Sequence, residues 1–183
     1  GHFTGWSLGA RFYPVLYLLT RMGAARDWGT GLPLKANLLG KMSRLEVHHI
    51  FPKAQLYKHK HKRPEVNALA NFCFLTKDTN LDIRDSLPQD YFPEVEALHP
   101  GALASQWIPM DPALWKVERF RDFLEARKEL LAAELNRRME ELLHGDTRWL
   151  TSVAAVTPAE IAIAGGISSE EEYKRVTAPD GAY

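Results

Sequence analysis

Residues 45–80 read LEVHHIFPKAQLYKHKHKRPEVNALANFCFLTKDTN, and the fold turns on how this stretch is parsed. SRLEVHHIF (43–51) is short and β-branched near its end. Leu45 and Val47 alternate against Glu46, so it reads as a strand. Pro52 is placed for the first turn of a short helix, PKAQLYK. KHKHKRP is a basic loop, and Pro64 restarts structure. NFCFLT (71–76) is apolar and aromatic-rich, a second strand. KDTNLDIRDS follows as a short helix, with Asp78 and Thr79 as N-cap candidates and Pro88 as its stop. The expected order is strand, basic loop, strand, short helix.

Polar residues mark particular places in that order. His48 and His49 end the first strand, Asn71 opens the second, and Asn80 lies in the first turn of the helix, with eight residues between the two asparagines. A helix start packed across a hairpin lies beside the hairpin's open end, so the three places can meet. Adjacent strand residues point to opposite faces, so His48 and His49 need different jobs unless the strand ends and twists there. Phosphodiester hydrolysis needs a water deprotonated near neutral pH, for which an imidazole is suited. It also needs charge stabilised on the phosphate and the departing oxygen, which a divalent cation does as a Lewis acid. Neutral His and Asn can both ligate such an ion. An amide near the base can hold the imidazole in its useful tautomer.

Plainer readings stand beside these. The histidines could be a strand-end pair satisfied by carbonyls, Asn71 a turn residue and Asn80 a helix-start cap. Asn67 reads as a cap or turn residue. His59 and His61 alternate with lysines, as a zinc pair or an exposed DNA-backbone loop. Arg84, one helical turn beyond Asn80, either touches a phosphate or pairs with a carboxylate. Cys73 reads as a small buried hydrophobe.

VHHIFPKAQL, NALANFCFLTKDTN and IRDSLPQDYFP together resemble the HNH nuclease domain found C-terminally in GmrSD-type modification-dependent restriction endonucleases. FRDFLEARKELLAAELNRRMEELL resembles that family's trailing helix, so the likeness spans about 43–143. It implies an α+β, mainly α-helical chain with a small ββα-metal (HNH, or His-Me finger) core embedded in helices. It implies a DNA endonuclease or nickase that restricts foreign or modified DNA, with a divalent ion as cofactor. His49 takes the position of the general base and Asn71 that of the residue orienting it, while His48 and Asn80 take the metal-binding positions. No carboxylate occupies that metal pair. Such a neutral site should hold Mg²⁺ weakly and lean on substrate phosphate, or prefer Mn²⁺ or Ni²⁺. The resemblance also implies an N-terminal NTP-hydrolysing, ParB-like domain, fused or separate. This chain has no Gly-rich phosphate loop to match it.

Composition agrees with a globular chain: 183 residues, 45% hydrophobic, 25% charged, and 23 basic residues against 23 acidic. The net charge of zero hides its distribution. Residues 41–63 carry seven bases against Glu46, a net +6, whereas 64–100 carry seven acids against Lys77 and Arg84, a net −5. Lys53, Lys58, Lys60, Lys62, Arg63 and Arg84 are therefore the candidate DNA-backbone contacts. One cysteine excludes an internal disulfide and any Cys-rich zinc site. No stretch is long and apolar enough to suggest a membrane span, and none reads as a signal peptide, so the expected compartment is the cytoplasm. The start Gly1-His2 suggests a tag scar or an excised fragment. Outward from the core, 1–40 reads as a helical segment with Phe12, Val15, Leu16, Leu19 and Met22 on one face, ended by the glycines of DWGTGLPL. After the core (41–100), 101–147 holds a long helix, Ala113 to Leu143. Its apolar face is Leu114, Val117, Phe120, Leu124, Leu131, Leu135, Met139 and Leu142, and Gly145 follows its end. Residues 148–183 read as a short helix begun by TPAE (157–160) and a weakly ordered acidic tail. Two other classes stay open beside a nuclease: a DNA-binding module that keeps the ββα frame without catalysis, and a purely helical interaction domain.

Overall fold

A computed structural model describes residues 9–35 and 44–145. The short helix and acidic tail expected over 148–183, and Lys41 of the basic segment, lie outside them. Among the described residues one sheet occurs, with two antiparallel strands, β1 (Leu45–His49) and β2 (Phe72–Thr76). Leu45 faces Thr76, Glu46 faces Leu75, His48 faces Cys73 and His49 faces Phe72. The purely helical alternative is thereby ruled out. Helices surround the pair: α1 (Gly9–Met22), α2 (Lys53–Lys58), α3 (Arg63–Val66), α4 (Lys77–Ile83), α5 (Pro88–Leu98), α6 (Ala102–Ser105) and α7 (Phe120–Leu143). The molecule is α+β and mainly helical.

All five residues of β2 are buried, so its period of two feeds two separate cores. Cys73 and Leu75 join Trp28, Phe51, Phe92, Phe120 and Phe123 on one face. Phe72 and Phe74 join Leu16 and Leu19 of α1 and Leu131 of α7 on the other. β1 is the outer strand, and its Val47 is 43% exposed. A two-stranded pair is marginal alone in water, so this double-sided burial is what secures it.

Three boundaries differ from the sequence reading. Helix α4 begins directly after β2, so its cap is the last strand residue: Thr76 Oγ1 accepts from the Thr79 backbone N–H, while Asp78 and Thr79 lie inside the first turn. Pro88 does not close α4, which ends at Ile83 with Arg84 at φ 50°. Pro88 instead opens α5, where the missing N–H costs nothing. The long helix starts at Phe120, not Ala113. Asp111 caps a 3-10 turn over Pro112–Trp115, and a second such turn covers Val117–Arg119. Its buried face is Phe120, Phe123, Arg127 and Leu131, and beyond Leu131 the helix leaves the core, with Met139 50% exposed. Gly145 has φ 76°, as expected of a residue closing the helix.

The loop after α1 reaches back to the site. Asp27 is fully buried, and its carboxylate accepts from Thr76 N–H, from the hydroxyls of Thr30 and Thr79, and from Thr30 N–H. Gly29 packs directly on α4, where a Cβ would fall 2.4 Å from Thr79 Oγ1. Only glycine allows that approach. The start of α4, which carries Asn80, is thus pinned from both strand and loop.

Candidate active site

His48 is 3% exposed, on the face of β1 that meets α4, and Nδ1 of its ring lies 2.8 Å from Asn80 Oδ1. Asn80 in turn donates through Nδ2 to Glu46 Oε2 at 2.8 Å. Glu46 and His48 are two residues apart on one strand, hence on one face. The Glu46 bond fixes the amide so that its oxygen faces His48, and His48 Nδ1 therefore carries the proton. Burial pushes the His48 imidazole down to about 4, against the pull of the Asn80 hydrogen bond, so the ring is neutral at pH 7.

His49 leaves the opposite face, as strand alternation requires. Its ring packs edge-on against Phe72 at 4.3 Å between centroids, and its Nε2 lies 3.4 Å from Asn67 Oδ1. Burial pushes this imidazole also to about 4, helped by the Lys53 ammonium and opposed by Asn67. The structure brings His48 and Asn80 together and sets His49 on the other side of the same strand end. Asn67, which the sequence reading treats as a cap or turn residue, does close α3 and is also the side chain that touches His49.

Asn71 is fully buried at the end of a 3-10 turn (Leu69–Asn71). Its Oδ1 accepts from Phe51 N–H at 2.9 Å, and its Nδ2 donates to the carbonyls of Phe51 and Val66. Its backbone carbonyl accepts from Ile50 N–H. Asn71 spends its amide on the chain just beyond His49, so any influence on that ring runs through the backbone of the strand end and not through a direct hydrogen bond to it. From behind, Arg127 of α7 donates to the carbonyls of Ala70 and Phe72, on either side of Asn71.

Lys53, Lys58, Lys60, Lys62, Arg63 and Arg84 are all exposed. The basic loop is an ordered turn: Lys60 takes φ 61° and His61 N–H returns to Leu56 O, a Schellman-type closure of α2. His61 turns inward onto the Phe120 ring at 4.9 Å, so it and His59 do not form an outward pair. Arg84 directs its Nε to Leu81 O.

The donor set fits a divalent cation. Two ligands in adjacent positions around an ion of Mg²⁺ size stand about 3 Å apart, close to the 2.8 Å between His48 Nδ1 and Asn80 Oδ1. The His48 ring lies edge-on to Trp28 and Tyr91, and its buried Nε2 has no hydrogen-bond partner among the described residues. In the ion-free protein Nδ1 holds the ring proton, and holding an ion through Nδ1 would move that proton to Nε2. The His48–Asn80 pair itself carries no carboxylate, but Glu46 lies next to it, accepting from Asn80 Nδ2. Among the described residues no three His, Cys, Asp or Glu side chains gather as a metal cluster.

Comparison of the chain with protein-family models, with curated proteins and with solved structures gives no match. Among the described residues no helix is long and apolar enough to cross a membrane.

Proposed function

We propose that this chain is a metal-dependent DNA endonuclease or nickase domain of HNH type. It acts in the cytoplasm on foreign or modified DNA, with an NTP-hydrolysing ParB-like domain as fused or separate partner. The observation that carries this reading is the meeting of His48 and Asn80, 32 residues apart in sequence, where a hairpin and a helix start converge. His48 and Asn80 would hold a divalent ion, Mg²⁺, Mn²⁺ or Ni²⁺, which supplies Lewis-acid stabilisation of the phosphate and its leaving oxygen. His49 is the base. With Nε2 turned to Asn67, Nδ1 holds the lone pair that takes a proton from water. A phosphodiester lying along the open edge of β1 meets His49 on one side and Asn80 on the other, and its negative charge draws the His49 pKa back toward neutrality. Asn71 keeps the strand end in place.

The test is plasmid nicking in Mg²⁺, Mn²⁺ or Ni²⁺, with metal titrated for wild type and His48→Ala. Wild type is expected to nick, and His48→Ala to need at least ten times more metal or to show no activity. Equal requirement and equal maximal rate would remove His48 as a ligand. One feature favours the alternative of an inactive DNA-binding module, namely that His48 and His49 leave opposite faces of β1. Absence of any nicked product with all three ions, alongside intact DNA binding, would decide for it.

The exposed lysines give a separate prediction. Replacing Lys58, Lys60 and Lys62 by glutamine should weaken DNA binding for every sequence. It should also flatten the plot of log affinity against log salt by about 0.9 for each phosphate no longer neutralised. Binding titrations from low to physiological salt measure this. An unchanged slope would leave the turn as solvated surface.

A further inference from the structure

The Glu46 carboxylate is the one negative charge in contact with the His48–Asn80 pair, and among the described residues its sole hydrogen bond is from Asn80 Nδ2. No described cation neutralises it. The side chain is half-buried on the outer strand, on the face it shares with His48, and its Oε2 engages Asn80. The carboxylate therefore stands next to the neutral His48–Asn80 pair with no described ion pair of its own, free to meet a cation.

We propose that Glu46 is a direct ligand of the divalent ion, completing a Glu–His–Asn donor set and supplying its charge. This rests on the metal-dependent reading above and adds the group that reading lacks. Neutral imidazole favours softer ions, and one neutral amide oxygen offsets this little, whereas a hard cation such as Mg²⁺ or Mn²⁺ is held best by anionic oxygen. With Glu46 in the set, the ion binds before DNA arrives, and the substrate phosphate tightens the site without creating it. The hydrogen bond to Asn80 serves the same end. It turns the amide oxygen toward His48 and holds the carboxylate beside it, so all three donors stand ready on β1 and α4.

The discriminating variant is Glu46→Gln, whose amide oxygen still accepts from Asn80 Nδ2 while the charge is gone. Calorimetric titration of Mn²⁺ into the full chain, with and without a short DNA duplex, reads binding independently of cleavage. Wild type is expected to bind without DNA, and Glu46→Gln to bind at least tenfold more weakly, with its melting temperature in EDTA unchanged. Equal Mn²⁺ affinity of the two proteins would overturn the proposal and leave Glu46 as a holder of the Asn80 amide. That result would leave the nuclease reading standing, whereas failure of wild type to bind Mn²⁺ with or without duplex would sink both. Should Glu46→Gln not fold, wild type labelled with ¹³C at the glutamate carboxyls gives the answer. Electron–nuclear double resonance of the Mn²⁺ complex is expected to show a directly bound carboxyl carbon, and its absence would overturn the assignment.

Discussion

His49→Ala is expected to lower the single-turnover rate of DNA cleavage by roughly 10²–10⁴-fold, the usual contribution of a positioned general base. DNA affinity should stay within about twofold, because the base works only in the chemical step. The fold should tolerate the change. His49 is half-buried, its approach to Asn67 is long at 3.4 Å, and its main packing partner is the edge-on Phe72 ring. Removing one such aromatic pair costs about 1 kcal/mol. The result separates two ways of losing activity. A variant that binds DNA and metal like wild type but does not cut places the proton transfer at His49. A variant that cuts at the wild-type rate would move the base elsewhere, and the face occupied by His48, Asn80 and Glu46 would be the place to search.

The strand, turn, strand and helix order is local information. Pro52, the apolar run of β2 and the polar start of α4 each carry their own signal, and each element forms where that signal lies. Alternation also predicts that His48 and His49 diverge, and they do. The same alternation places Glu46 with His48, but it cannot tell which face meets a helix, so Glu46 passes for a solvated charge on an outer strand. Asn67 and Asn71 both lie near the hairpin's open end. Which one touches His49 depends on the path of the 3-10 turn over Leu69–Asn71, a tertiary fact. Asp27 sits in a glycine-rich loop and reads as a turn former, yet it is buried against Thr76 and Thr79. The face that the sequence reading gives the long helix runs through Leu124 and omits Phe123 and Arg127, whereas the buried face is Phe120, Phe123, Arg127 and Leu131. Their three-four-four spacing is a core spacing, and a charge within it marks a buried job.

That job predicts the largest loss of stability in the molecule. The Arg127 guanidinium is fully buried, and its partners are carbonyls: Ala70 at 2.9 Å, Phe72 at 2.6 Å and Gln106 at 3.2 Å. Burial lowers its pKa to about 10, so it remains protonated at pH 7. Replacement by methionine keeps much of the volume but leaves all three carbonyls without a donor. Each stranded buried acceptor costs about 1–3 kcal/mol, and partial relaxation should hold the total near 3–5 kcal/mol. Against a typical domain stability of about 5–15 kcal/mol, much of the folded state would be lost. Arg127→Lys should recover only part, since one ammonium on a narrower reach cannot serve carbonyls on β2, the 3-10 turn and Gln106 together. Urea unfolding of wild type, Arg127→Lys and Arg127→Met should give midpoints falling in that order. The carbonyls of Ala70 and Phe72 flank Asn71, and Phe72 pairs with His49 across the sheet, so the loosening should start at the active strand end. Hydrogen exchange should accordingly quicken first at Ile50, Phe51 and Asn71, whose backbone N–H groups are bonded at that junction. A methionine variant within about 1 kcal/mol of wild type would mean that the three carbonyls find other donors, and that α7 supports the hairpin through its phenylalanines alone.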